Sequence, residues 1–411
     1  MNKDSKMPIK KQKMLIAISE KEKKPFSQLL QQNGFSYDSL QYINNPAINN
    51  ECLRPIEILD NIEKGNDNIP AISFFSGAGG LDVGFSYAGF NNLISIECNE
   101  VFCNTLRKNN PEKIVIGPPD YSGDVSRRDE IAKILRDKGI LIPFNGVFHG
   151  GPPCQSFSVA ANQRFNKDGD NFKRTGFEDE EKGTLIFDYI WFIKEFRPLA
   201  FLIENVEGIA DCDKEGRIQS ALNELASCGY VITAPQIVNA AYFGVPQNRM
   251  RWIVVGTRSN VPIVLPPPSE KVTPCGSVFV RDLAGVSNHI TREHTAQSIS
   301  RYMLLDYGGR DKLGRVDRLD PQLPSKTVIA GGTKGGGRSH LHPFSPRTLS
   351  VRECARLQTF PDSYVFTGAN ARQFTQVGNA VPPLLAYKLA MAIKQAIIED
   401  FIRSTQSIEN C

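Results

Sequence analysis

The chain has 411 residues, 41% hydrophobic and 22% charged, a composition ordinary for a soluble protein and sufficient for one large domain or two medium ones. No apolar run approaches the ~18 residues of a membrane span, and the apolar run near the N-terminus is too short for a signal-peptide core, so a cytoplasmic chain with no membrane partner is expected. Nine irregularly spaced cysteines do not read as a disulfide framework, and five histidines speak against a metal centre, His340-x-His342 being the one faint exception.

Residues 1 to about 66 read as a helical extension. Residues 1–24 hold eight lysines against three acidic residues, and FSQLLQQNGFSYDSLQYI and LRPIEILDNIEKG space their apolar residues at roughly the helical period. From Ile69 the texture changes to short apolar runs, each closed by Gly, Asn or Pro and followed by a helical pattern: PAISFFSGAGG, NNLISIECNE, FNGVFHGGPP, LAFLIENVEG and RMRWIVVGT. That alternation predicts an α/β fold, a mostly parallel sheet with helices on both faces.

The rhythm stops near Arg258. Residues 259–345, rich in Pro, Gly, Arg and Asp, predict a smaller loop-rich domain. Residues 258–347 hold thirteen Lys and Arg against seven acidic residues, while the net charge of the whole chain is only +4. Two basic segments on a mildly acidic body suit a polyanionic partner, and equally a solvated surface. Helical patterns resume at LSVRECARLQTF and PPLLAYKLAMAIKQAIIEDFI, so the segment 346–411 is expected to pack back on the sheet. The predicted divisions are 1–66, 67–258, 259–345 and 346–411.

Five constellations carry chemistry. FFSGAGGLDVGF runs from a strand through a glycine turn into a helix, a place where backbone N–H groups approach a nucleotide-like ligand, although its spacing departs from G-x-G-x-x-G. Glu97 closes the next strand, where a carboxylate suits ribose hydroxyls, and Asp124 suits an exocyclic amine; taken singly, both fit helix caps or turns. GGPPCQSFS sets Cys154 in a proline turn at a strand end, the position of a nucleophile or of a buried structural thiol. Glu204-Asn205 closes LAFLIENV and suits general-acid work or a solvated strand end. In QNRMRW, Arg249 and Arg251 alternate on one strand face, suited to an anion or a carboxylate, or to a surface ion pair. QVGNAVPP supplies Asn379 at a glycine-containing turn.

Taken in order, FSGAGG, GPPCQS, ENV, QNRMR, RECARLQTFPD and QVGNAVPP resemble the successive motifs of the DNA (cytosine-5)-methyltransferase family of bacterial restriction-modification type. The resemblance covers about residues 69–258 and 346–395, with the variable stretch between them in the family's target-recognition position. It implies a Rossmann-like fold of the S-adenosylmethionine-dependent methyltransferase type. It also implies that Cys154 adds to C6 of a flipped-out cytosine, Glu204 hydrogen-bonds or protonates N3, Asn205 helps position that edge, and Arg251 with Arg249 orients Glu204.

For S-adenosyl-L-methionine the resemblance implies Phe75, Gly77 and Gly79 in the binding turn, Glu97 on the ribose and Asp124 on the adenine amine. Pro153, Leu185, Asn379 and Val381 would wall the pocket. Cys98 departs from the aromatic residue that family members often place after the ribose-binding acid. No metal is implied. Double-stranded DNA is the implied partner, with Gln155, Ser158, Arg164, Lys173, Thr327 and Arg338 as contacts, alongside a cognate restriction endonuclease encoded nearby; the chain is expected to be a monomer. A tRNA methyltransferase of the same superfamily and a silent DNA-binding regulator are the competing readings.

Overall fold

The computed structural model describes residues 6–55, 59–153, 184–329 and 340–409. In chain order its helices are α1 (Ile9–Glu22), α2 (Phe26–Gln32), α3 (Gly80–Tyr87), α4 (Glu100–Asn109), α5 (Arg128–Asp137), α6 (Leu185–Phe196), α7 (Gly208–Cys212), α8 (Arg217–Ser227), α9 (Ala296–Tyr302), α10 (Val351–Leu357), α11 (Asn370–Asn379) and α12 (Pro383–Glu409). The strands are β1 (Ile69–Phe74), β2 (Phe90–Ile96), β3 (Ile114–Ile116), β4 (Val147–Gly150), β5 (Ala200–Val206), β6 (Val231–Asn239), β7 (Met250–Thr257), β8 (Arg310–Asp311), β9 (Val316–Arg318) and β10 (His340–Leu341). The chain divides into two units, one of Leu59–Phe243, Arg249–Glu270 and Ala380–Cys411, the other of Met1–Ile58, Gly244–Asn248 and Lys271–Asn379.

In the first unit seven strands form one sheet in the order β3-β2-β1-β4-β5-β7-β6. Strands β1 to β5 pair in parallel, and β7 runs antiparallel to both β5 and β6. The fold is therefore α/β with a mostly parallel sheet. Strand order reverses between β1 and β4, which opens a crevice at their carboxyl ends, the place where ligands of such sheets bind.

Neighbouring residues of a strand face opposite ways. Phe148 of β4 enters a large apolar core with Phe74, Phe192, Phe196, Ile131, Leu135, Leu222 and Leu225, drawn from α5, α6 and α8 as well as the sheet. His149, one residue on, stacks on Phe85 of α3 at 4.1 Å on the other face. There α3 packs on α12 through glycines: a Cβ on Gly84 would stand 2.4 Å from the Ala386 Cβ and 2.6 Å from the Pro383 carbonyl oxygen. The last glycine of the sequence pattern thus serves close helix packing.

The second unit joins two parts of the chain far apart in sequence. Met7, Leu15, Ile16, Phe26, Leu30, Tyr37 and Leu40 share one apolar core with Ala296, Ile299, Tyr302, Met303, Val316 and Leu341. A small three-stranded sheet, β10-β9-β8, lies in this unit, as do α10 and α11. Its ion pairs run across the same division: Arg347, buried, bonds Asp38 at 2.6 Å and Glu353 at 2.7 and 2.8 Å. By length and composition one stretch among the described residues, Asn370–Gln406, is apolar enough to cross a membrane, but 56% of its apolar window is packed inside the protein.

Candidate active site

After β1 the backbone enters the left-handed region at three positions, Phe75 (φ 52°), Gly77 (φ 54°) and Gly79 (φ 80°). Glycine adopts that conformation freely, whereas a bulky side chain is strained there, a feature that clusters at binding sites. Glu97, the first residue beyond β2, is buried, and its carboxylate accepts from the Gly77 N–H at 2.8 Å and the Asn99 N–H at 2.8 Å. Burial lifts its pKa above the usual carboxylate value, and those two donors hold the rise back. A Cβ on Gly77 would meet nothing closer than the Phe75 carbonyl at 4.0 Å, so the turn is open on that side. A buried acceptor beside an open glycine turn fits the ribose of a nucleoside.

Some of the other predicted pocket residues lie close to this turn. At Gly123 (φ 64°) a Cβ would stand 2.2 Å from the Glu97 carbonyl, so only glycine lets the turn before Asp124 approach so closely. Asp124 accepts from the Ser126 N–H at 3.0 Å and hydroxyl at 2.7 Å, and so shapes its own turn. The Val381 carbonyl would lie 2.2 Å from a Cβ on Gly80, the first residue of α3. Phe75 meets Tyr189 of α6 edge-on, with ring centroids 6.3 Å apart, and Leu185 opens that helix. Cys98 is exposed, and Asn379 closes α11 in the other unit.

Beneath the turn lies a polar node that the motifs did not single out. Asp82, in the first turn of α3, accepts from the Ser73 hydroxyl at 2.9 Å and the Ser95 hydroxyl at 2.6 Å, and pairs with Lys113. It thereby ties α3 to β1, β2 and the approach to β3. Burial opposes its ionisation, but Lys113 and His149 outweigh that and hold its pKa below the ordinary value. His149 bonds Asn92 at 2.9 Å, and burial pushes its pKa down to about 4.

At the carboxyl end of β4 the described chain continues through Gly151, Pro152 and Pro153. Cys154 lies outside the described residues, as do Gln155, Ser158, Arg164, Lys173 and Arg338. The turn that leads to Cys154 is nonetheless placed. A Cβ on Gly151 would stand 2.8 Å from Glu204 Oε2, so the turn passes against the carboxylate with no room for a side chain. Asn205 Nδ2 reaches the Pro152 carbonyl at 3.4 Å, while its Oδ1 accepts from the Val206 N–H at 2.8 Å.

Glu204, 7% exposed, pairs with Arg251 Nε at 2.5 Å. Register explains the pair. Glu204 sits opposite Ile253 on antiparallel β7, so Arg251, two residues along, shares its face. Arg249 anchors a different segment as well. It precedes β7, is buried, and donates from Nη2 to the Ala380 carbonyl at 2.9 Å, tying the start of that strand to the segment before α12. Between these arginines' neighbours the chain switches units: Gln247, fully buried, bonds the Val328 N–H at 2.8 Å and Gln358 at 3.0 Å, and the exposed Thr327 donates to the Asn248 carbonyl at 2.7 Å. His340 and His342 are buried and bond backbone groups, and no cluster of three or more metal-ligating side chains occurs among the described residues.

Residues 69–395 match the C-5 cytosine-specific DNA methylase family. The Type II methyltransferase M.Eco47II of Escherichia coli is 30% identical over 81% of this chain and 81% of its own length. The Type II methyltransferase M.MthTI of Methanothermobacter thermautotrophicus is 33% identical over 80% of this chain and 98% of its own. Among solved structures, a prophage-encoded Escherichia coli chain described as a DNA modification methyltransferase superposes with a TM-score of 0.63 at 24% identity, covering 80% of this chain and 99% of the other. That last likeness concerns the fold.

Proposed function

The chain belongs to the C-5 cytosine-specific DNA methylase family and is a DNA (cytosine-5-)-methyltransferase, and from that premise we propose how its residues divide the reaction. The substrate is a cytosine in double-stranded DNA, rotated out of the stack because C6 is otherwise inaccessible to a side chain. S-adenosyl-L-methionine, when bound, supplies an electrophilic methyl group. Gly77, Gly79 and Glu97 would hold its nucleoside end, with Phe75, Asp124, Pro153, Leu185 and Val381 around it.

The Cys154 thiolate adds to C6, a task for sulfur because an appreciable fraction of thiol ionises near neutral pH. Glu204 hydrogen-bonds or protonates N3 as electron density shifts into the ring, which makes C5 the nucleophile that would take the methyl group, with S-adenosylhomocysteine leaving. Loss of the C5 proton to solvent water then restores the double bond and expels the Cys154 thiolate. Arg251 keeps the Glu204 carboxyl aimed, and Asn205 holds the Cys154 turn through Pro152. One observation carries this reading: the buried Glu204, paired with Arg251 at 2.5 Å, fills the space beside Gly151 on the turn that leads to Cys154.

The matched relatives are Type II methyltransferases. By analogy the enzyme methylates one short sequence and shields host DNA from a cognate endonuclease, in the cytoplasm and as a monomer. Thr327 and Arg338 are its proposed sequence contacts, and Gln155, Ser158, Arg164 and Lys173 its contacts beside the base. The test is incubation with methyl-labelled S-adenosylmethionine and unmethylated genomic DNA, followed by bisulfite sequencing. Label confined to one recurring sequence is the expected outcome; none in DNA, with label entering tRNA, would replace the substrate. Cys154→Ala should show no turnover while retaining DNA binding, and residual turnover would remove the nucleophile assignment.

A further inference from the structure

Residues 6–53 precede the region matched to the family, yet they share a core with α9, β9 and β10. The contact with the most chemistry is at Arg318, the last residue of β9 and fully buried. Its guanidinium lies 3.6 Å from the ring centroid of Tyr42 and 4.0 Å from that of Tyr307. Nη1 donates to the carbonyls of Asn44 and Leu305, both at 2.7 Å, Nη2 to Asn45 Oδ1 at 2.8 Å, and Nε to the Pro343 carbonyl at 3.0 Å. Tyr42 in turn donates to the His342 carbonyl at 2.8 Å. Three of the groups that hold this arginine therefore come from the extension.

The strand that Arg318 ends carries Asp317 next to it. Consecutive strand residues face opposite ways, and Asp317 bonds Arg310 at 3.0 Å and Lys326 at 3.1 Å, cations whose side chains are more than half exposed. Lys326 is held a second time, by His340 Nε2 at its carbonyl, 3.0 Å, and Thr327 follows it. A fixed Arg318 thus fixes the register of β9, and the register fixes where Lys326 and Thr327 stand. A one-residue slip would turn Asp317 to the face that Arg318 now occupies.

We propose that Tyr42, Asn44 and Asn45 are positioning residues for target recognition, holding Arg318 so that β9 presents Lys326 and Thr327 to DNA in one register. This rests on the reading that residues 259–345 select the methylated sequence. The extension is then part of the recognition apparatus rather than an appendage, and its effect is on which cytosine is chosen. The unit that contains Glu97 and Glu204 contributes none of these contacts.

The test uses the full chain with Tyr42→Leu, Tyr42→Phe and Asn45→Ala. Three quantities are read: S-adenosylhomocysteine affinity by calorimetry, KM and kcat on unmethylated DNA, and the ratio of methylation at the target to that at sites differing by one base pair. For Tyr42→Leu and Asn45→Ala the expected result is unchanged cofactor affinity and little change in kcat. KM for DNA should rise and the discrimination ratio fall by about tenfold each, the size of one lost base contact. Tyr42→Phe keeps the ring over the guanidinium and should retain most of the discrimination. Wild-type KM and discrimination in folded Tyr42→Leu or Asn45→Ala would overturn the proposal, as would loss of kcat alone; should Tyr42→Leu not fold, Asn45→Ala decides. Failure of the wild-type enzyme to methylate DNA would instead strike the function from which the proposal starts.

Discussion

Glu204 is held by three different kinds of constraint: a charge from Arg251, a register set by β7, and the absence of a side chain at Gly151. Each predicts a different injury. Glu204→Gln keeps the shape but removes the exchangeable proton, and the single-turnover rate should fall by about 10²–10⁴ with S-adenosylhomocysteine affinity within twofold of wild type. An unchanged rate would end the general-acid assignment. Gly151→Ala forces a methyl group to within 2.8 Å of Glu204 Oε2, so the carboxylate or the turn must shift. We expect kcat to drop at least about tenfold while the melting temperature stays near wild type, since misplacement of an aligned group by an ångström is expensive to a reaction rather than to a fold. The residue types at this site were legible in ENV, QNRMR and GPPCQS. The close approach at Gly151 was not, because a glycine's part in such a contact depends on what faces it. Nor was the bond from Arg249 to the Ala380 carbonyl, because alternation along a strand shows which residues share a face and not what they meet.

At the scale of elements, α3 is fixed from below by Asp82 and from the side by Gly84. Removing the cation with Lys113→Met leaves a buried carboxylate uncompensated and should destabilise the protein by about 3–5 kcal/mol, measured by denaturant unfolding. Adding Asp82→Asn to that variant should recover part of the loss, and strict additivity of the two substitutions would mean that the pair does not interact. Buried histidines, His149 beside Asp82 and two in the other unit, give a pH dependence. His149, His294 and His340 have folded pKa values of about 4 against 6.5 for the free side chain. Between those values the unfolded chain takes up protons that the folded chain refuses. Stability from these groups is therefore complete above pH 6.5 and lost as pH falls toward 4, by about 3 kcal/mol for a group such as His149. Unfolding midpoints compared at pH 7 and pH 5 check this, and His149→Gln should flatten the difference. Five strands could be read from apolar runs, whereas β3 and β6 could not. The first has three residues, and the second is an edge strand with a proline and mostly exposed side chains, so neither carries the buried-strand pattern.

For the whole molecule, the boundary that matters does not run between consecutive stretches of sequence. The sequence showed a helical extension and a loop-rich region and gave no reason to join them, because apolar periodicity reveals that a face is buried but not against what. The structure joins them in one core and returns residues 244–248 to the same unit. An exchange of recognition regions with a relative is the practical check. Replacing residues 259–345 alone removes Ala296, Ile299, Tyr302 and Val316 from beneath α1 and α2, and should yield unstable protein; replacing them together with residues 1–53 should yield a stable enzyme with altered site preference. Equal stability of the two chimaeras would show that the shared core contributes little.

The shared core also sets a timetable for synthesis. Leu15, Ile16, Phe26 and Leu30 leave the ribosome early, but the residues that cover them begin at Ala296. With about 250 residues between Leu40 and that point, and chains growing at about 5–20 residues per second, the first helices wait roughly 13–50 s for their partners. All seven strands of the large sheet are made in that interval. Through that interval the apolar faces of α1 and α2 are without the residues that cover them in the finished core.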